Sequence, residues 1–237
     1  MRLRAALPMT LATLALTSAC ALRPSRAQFD AQPERVAAQP ARCADPGPML
    51  TVQRELLSEL NRARTRPADF VPLIEAHFAT LDRDNVFIED GRRIRMHEGR
   101  AAIDQAIAYL RTARPVPPLR LSGCLSRAAA DHVQAQGPTG HVGHVGEDGS
   151  QPSDRATRRL TGRAYCGENI TYSATTQARD LVIQLLVDDG VPDRGHLRNI
   201  YKADYKTVGF AVGPHARFKG MSVQLMCTNE LDAASER

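Results

Sequence analysis

Three short stretches of this chain set histidines and acids among glycines and turn formers. They are Gly140-His-Val-Gly-His-Val-Gly-Glu-Asp-Gly-Ser150, Gly167-Glu-Asn-Ile170 and Asp188-Asp-Gly-Val-Pro-Asp-Arg-Gly-His196. Glycine, proline and aspartate at that density punctuate regular structure, so helices and strands must lie between these stretches, with the imidazoles and carboxylates on or beside the connections. Loops held by a rigid scaffold are where sites usually sit. Any chemistry is therefore expected where the three stretches converge.

Periodicity supplies the scaffold. Val52, Leu56, Leu60 and Ala63 recur at helical spacing until Pro67, and Phe70, Leu73, Ile74 and Phe78 predict a second helix. Segments 86–89 and 92–96 flank Asp90-Gly91, the two-residue signal of a tight hairpin. Ile103, Ala106, Ile107 and Leu110 predict a helix ended by Pro115, Pro117 and Pro118, and Ser122 can cap another that runs to Gln136 with Leu125, Ala129 and Val133 inward. A short helix over Asp154 to Leu160, a strand near Ile170, a helix through Leu181, Leu185 and Leu186, and strands at 207–212 and 221–226 complete the map. Mixed helices with late strands predict a layered α+β domain.

The N-terminus reads as an export signal. Arg2 and Arg4 precede an uncharged stretch from Ala5 to Ala19, too short for a membrane span of about 20 residues, that ends in Leu16-Thr-Ser-Ala-Cys20. Small residues before Cys20 resemble a bacterial lipobox, which makes Cys20 a candidate lipidation site; ordinary cleavage near Ala21 or Ala27 is the alternative. The expected organisation is a signal peptide over 1–19, a Pro/Ala/Gln/Arg-rich linker over 20–44 and one domain over 45–237. Formal net charge is +5, including the two leader arginines. Cations and acids are interleaved with few aromatics, which excludes a nucleic-acid partner as the first reading. A membrane is expected to be reached only through a lipid anchor.

Of five cysteines, four follow the leader: Cys43, Cys124, Cys166 and Cys227. An even number in an exported chain predicts two disulfides, with three connectivities open. No C-x-x-C spacing points to a thiolate metal site.

The His144-x-Gly-x-Asp-Gly-Ser run, Gly167-Glu-Asn-Ile170 and Arg194-Gly-His-x-x-Asn-Ile200, in that order, resemble the CAP superfamily (cysteine-rich secretory, antigen 5 and pathogenesis-related-1 proteins), in particular its bacterial SCP-domain branch. The resemblance implies a three-layer α-β-α sandwich. It also implies a central cleft of two histidines and two acids: His144, His196, Glu168, and Asp188 or its neighbour Asp189, of which Asp188 is the preferred match. The usual tryptophan of the preceding helix is missing, since the chain has none. Relative to shorter CAP domains, residues 82–115 read as an insertion.

Two neutral imidazoles suit zinc or another divalent metal, with water completing the shell; Glu168 and Asp188 would orient the rings or hold bound water. The expected function is thus an exported, envelope-located protein whose cleft binds a divalent metal, a small molecule or a lipid, without catalysis. One alternative is a metal-assisted hydrolase of peptides or envelope polymers, with Glu168 as candidate base and Ser150 or Ser153 as partners for His144. The other is a structural or interaction module with no metal. No H-E-x-x-H or G-x-S-x-G occurs. Among the remaining histidines, His141 reads as a surface loop residue, His132 as a satisfied, partly buried one, His215 as part of a turn near the cleft edge, and His77 and His97 as incidental.

Overall fold

Helices form where apolar residues recur at helical spacing in the computed structural model, which describes residues 42–43, 50–161 and 165–228. After a two-residue strand β1 (Arg42–Cys43), helix α1 (Thr51–Thr65) buries Leu56, Leu60 and Ala63. A single 3-10 turn (Pro67–Phe70), opened by a proline whose fixed φ suits a helix start, leads into α2 (Val71–His77). Strands β2 (Val86–Glu89) and β3 (Arg92–Arg95) form the expected hairpin. Asp90 and Gly91 turn it with φ of 48° and 74°, the two positive values a tight hairpin turn demands. Helix α3 (Arg100–Thr112) buries Ala102, Ile103, Ala106, Ile107 and Leu110.

Strand β4 (Arg120–Leu121) precedes α4 (Gly123–Thr139), whose first turn is capped by the Ser122 hydroxyl accepting from the Leu125 N–H at 3.1 Å. Next come α5 (Pro152–Arg159), β5 (Leu160–Thr161), β6 (Cys166–Tyr172), α6 (Ala178–Val187), α7 (Gly195–Ile200), β7 (Thr207–His215) and β8 (Lys219–Cys227). Among the described residues, strand β5 pairs only with β1.

The central sheet has the order β4-β7-β8-β6, with β4 parallel to β7 and the other pairs antiparallel. Alternation along its strands feeds two apolar layers. Leu125, Ala129 and Val133 of α4 and Ala156 of α5 pack with Ile170, Val223 and Leu225 on one face. Helices α1, α2, α3, α6 and α7 pack with Val208, Phe210 and Met226 on the other. The chain is thus an α+β sandwich with helices on both faces, and β6 forms one edge of the sheet.

Strands β7 and β8 run beyond their expected ends, since the ladder continues through Gly213↔Met221, Pro214↔Gly220 and His215↔Lys219. Glycine and proline, both depleted in strands, hid this extension. Cys166 and Cys227 face each other in the β6–β8 register and are bonded; Cys124 is also disulfide-bonded. The leader, Cys20 and the side chain of Cys43 lie outside the described residues. No helix among the described residues is long and apolar enough to cross a membrane.

Candidate functional site

His144 sits on the loop that leaves α4, and its backbone is clamped from two sides. The Gly143 carbonyl accepts from Gln136 Nε2 at 3.0 Å and contacts His132 Nε2 at 2.9 Å, while the Gly143 N–H donates to the Tyr172 hydroxyl at 2.8 Å. Tyr172 in turn donates to Gln136 Oε1 at 2.7 Å. Gly143 has φ of 112° with open space where a Cβ would lie, so conformation rather than crowding demands glycine there.

Below the ring, His144 Nδ1 meets Glu168 Oε1 at 3.0 Å. Glu168 projects from β6 and its side chain is 0 % exposed; Arg155 of α5, 3 % exposed, donates through Nη2 to both carboxylate oxygens at 2.9 and 2.8 Å. The same guanidinium donates to the carbonyls of His144 and Ser150, at 3.0 and 2.9 Å. One buried arginine therefore ties both ends of the loop to the acid beneath it.

The second pair is built at the end of α6. Asp188 closes that helix with φ of 55°, a left-handed conformation that aspartate tolerates better than most side chains. Its Oδ1 contacts His196 Nδ1 at 2.6 Å, and its Oδ2 accepts from the N–H groups of His196 and Leu197 at 2.9 and 3.2 Å. Asp189 points elsewhere: its carboxylate accepts from the N–H groups of His97, Glu98 and Gly99. Asp188, not Asp189, is thus the acid that contacts His196.

Arg194 staples this loop, donating through Nη1 to the carbonyls of Asp188 and Val191 at 2.9 and 3.0 Å and pairing with Glu98. Those Arg194 bonds, with help from the Gly190 N–H, hold the Glu98 carboxyl down at about 2. Asn169 of β6 donates to the His196 carbonyl at 3.1 Å and accepts from Asn199 at 3.0 Å. The Gly-Glu-Asn-Ile stretch therefore serves both histidines, Glu168 under one and Asn169 under the other, as alternation along a strand allows.

The two imidazoles stand with ring centroids 6.2 Å apart, tilted by 59°. Both line one cavity of about 690 Å³, together with Asp188, Asp189 and an apolar wall that includes Phe87, Ile94 and Met96 of the β2–β3 hairpin and its exit. Glu168 does not line it; it lies behind His144.

The remaining candidates are engaged elsewhere. Ser150 Oγ accepts from Arg155, and Ser153 Oγ spans the N–H and carbonyl of Cys166; neither bonds His144 among the described residues. His132 is buried, which pulls its pKa below the usual histidine value. His141 is exposed and meets Glu147 at 2.8 Å. His215 is buried at the end of β7; its Nε2 contacts the His141 carbonyl and its Nδ1 accepts from the N–H groups of Arg217 and Phe218. His97 lines the cavity. His77, expected to be incidental, is 9 % exposed and stands between Glu89 at 3.4 Å and Asp180 at 3.3 Å. Burial works to raise Glu89, but the neighbouring His77 and hydrogen bonds from Gln184 and Ser173 outweigh it and leave the carboxyl low; burial raises Asp180.

The model of the cysteine-rich secretory protein family matches residues 105–227, a span that contains His144, Glu168, Asp188 and His196. The chain belongs to the CAP family. A search among curated proteins finds no match. The β2–β3 hairpin lies N-terminal to the matched CAP span, yet it walls the cavity into which the span's two histidines face.

The CAP cleft can be tested for a metal by its donors. Each Nδ1 is taken by a carboxylate, and neither Nε2 makes a hydrogen bond among the described residues. The ring centroids stand 6.2 Å apart, and His144 and His196 would be the residues to hold a divalent ion there, through the nitrogens their carboxylates leave unused. No three His, Cys, Asp or Glu side chains gather into a metal-holding group among the described residues. Any ion in this cleft would have two imidazoles as its protein donors and would need water in its other positions.

Proposed function

We propose that this chain is an exported CAP-domain protein, anchored to a bacterial envelope through Cys20, whose cleft binds a divalent metal, zinc foremost, between His144 and His196. One observation carries the reading: two imidazoles face one cavity, each with its Nδ1 engaged by a buried carboxylate. A carboxylate on one nitrogen fixes the tautomer and raises the donor strength of the other, the usual arrangement behind a ligating histidine. The role is binding rather than catalysis. An ion there would supply Lewis acidity towards a small ligand in the cavity, but Glu168, the candidate base, is spent on Arg155 and His144 and does not reach the cavity, whereas a general base must reach the proton it takes.

A purely structural network is the second reading, favoured by Arg155, which holds Glu168 and the loop with no ion required. Metal content of the purified, tag-free mature protein, measured beside turnover in a broad hydrolase panel, separates these. Stoichiometric metal without turnover supports the proposal, metal with turnover supports the hydrolase, and neither leaves the structural network.

A further inference from the structure

Strand β6 is an edge strand, and an edge leaves a row of backbone groups for another chain to pair with. The direction of that row can be read from its neighbours. Both the N–H and the carbonyl of Cys166 turn to Ser153 of α5, away from β8, whereas the Ser173 N–H donates to Gly220 beyond the start of β8. In an antiparallel pair successive residues alternate between facing the partner and facing outward. The outward set is therefore Cys166, Glu168, Ile170 and Tyr172, and the backbone groups of Glu168, Ile170 and Tyr172 have no partner among the described residues. Four consecutive residues, Ile170 to Ser173, line the cavity. Neighbours on a strand point to opposite faces, so a cavity touching all four runs along the strand's edge.

The unspent charge of that cavity is positive. Its three carboxylates are saturated: Glu89 by Gln184 and Ser173, Asp188 by His196 and Leu197, Asp189 by three backbone N–H groups. Arg92, Arg217 and Lys219 have no carboxylate partner among the described residues, and Arg95 donates only to the Asp84 carbonyl. These cations gather at one end. Ser173 bonds Glu89, the cross-strand partner of Arg92, and Gly220, the neighbour of Lys219. Phe218, between Arg217 and Lys219, stacks on Tyr172 at 5.5 Å.

We propose that the free edge of β6 is a docking rail for an extended peptide with an acidic end. The peptide adds as a strand beside Ile170 and Tyr172, lays alternate side chains against the apolar hairpin wall, and places its carboxylate at Arg92, Arg217 and Lys219. From Ile170 to Ser173 the rail is roughly 10 Å long, enough for about three extended residues, and main-chain hydrogen bonds would supply the affinity. The proposal rests on the cleft being a ligand site, not on a metal in it.

Affinity selection with the full chain in EDTA tests this, using pooled hexapeptides, acetylated and C-terminally amidated, that end in aspartate against the same pool ending in lysine. Acid-ended peptides should be retained at least about tenfold better, as charge-assisted hydrogen bonds require. N-methylation of alternate amides in a selected peptide should cost a similar factor, because it removes strand hydrogen bonds and leaves charge and side chains in place. Arg92→Glu combined with Lys219→Glu, both at exposed positions, should abolish the preference for acid while zinc affinity stays unchanged. Equal retention of the two pools overturns the proposal, and so does unchanged binding of N-methylated peptides, which would mark a site for any anionic amphiphile. Peptide binding that survives in a His144→Ala/His196→Ala chain separates the rail from the metal reading: zinc can fail while the rail stands, and the reverse.

Discussion

Asp188 performs two tasks with one carboxylate, orienting His196 through Oδ1 and holding the first turn of α7 through Oδ2. Asparagine tolerates the left-handed conformation and keeps an acceptor, so Asp188→Asn should fold as wild type yet bind zinc about 10–100-fold more weakly, the usual cost of an altered outer partner. Asp188→Ala should also lose stability in denaturant titration; wild-type zinc affinity in both variants would show that the carboxylate does not tune the ring. Arg155→Ala strands Glu168 in the interior, and breaking such a buried pair typically costs about 3–5 kcal/mol. A loss below about 1 kcal/mol in the denaturation midpoint analysis would mean that water replaces the guanidinium. The site's histidines were legible because glycines and turn formers surround them. Spacing could not separate Asp188 from Asp189, which are adjacent; the left-handed turn at the end of α6 decides between them. Arg155 was invisible, since Pro-Ser-Asp-Arg-Ala-Thr-Arg-Arg reads as a solvated helix and nothing in it announces a buried guanidinium.

At the scale of elements, the helices with clear spacing appeared where their apolar residues predicted them, and α7 and β4 did not announce themselves, because six and two residues carry no periodicity. Pairing of the cysteines was likewise beyond sequence, and the β6–β8 register brings Cys166 opposite Cys227. That bond closes a loop of sequence separation 61 and ties the edge strand to β8. Cys166→Ala with Cys227→Ala should lower stability by about 2–5 kcal/mol and increase amide exchange along β6 first, since an edge strand has one ladder only. Uniform exchange across the sheet would contradict an edge role for the bond. Arg64 supplies a second tie: fully buried on α1, it donates to the carbonyls of Pro117, Ile200 and Lys202, and burial lowers it to about 10. It thereby holds the end of α7, the helix that carries His196.

For the molecule as a whole, burial of His132 sets a pH dependence. Its folded pKa lies below the unfolded value, so below about 6.5 the unfolded chain binds the extra proton and stability falls as pH drops. Between pH 7.5 and 5.5 wild type should lose more stability than His132→Gln; equal losses would assign the effect to other groups. At the N-terminus, intact mass of membrane-extracted protein should show a chain beginning at Cys20 with added acyl mass, and a soluble chain beginning at Ala21 or later would refute the anchor. The metal cleft itself is tested most directly by calorimetric titration of zinc into folded wild type and its single variants. Wild type should bind tightly. His144→Ala and His196→Ala should each abolish tight binding, because one imidazole alone is outcompeted by water, and His141→Ala should leave it intact. Wild-type zinc affinity in the His144 and His196 variants would contradict the metal cleft and leave the Arg155–Glu168 network as a purely structural feature.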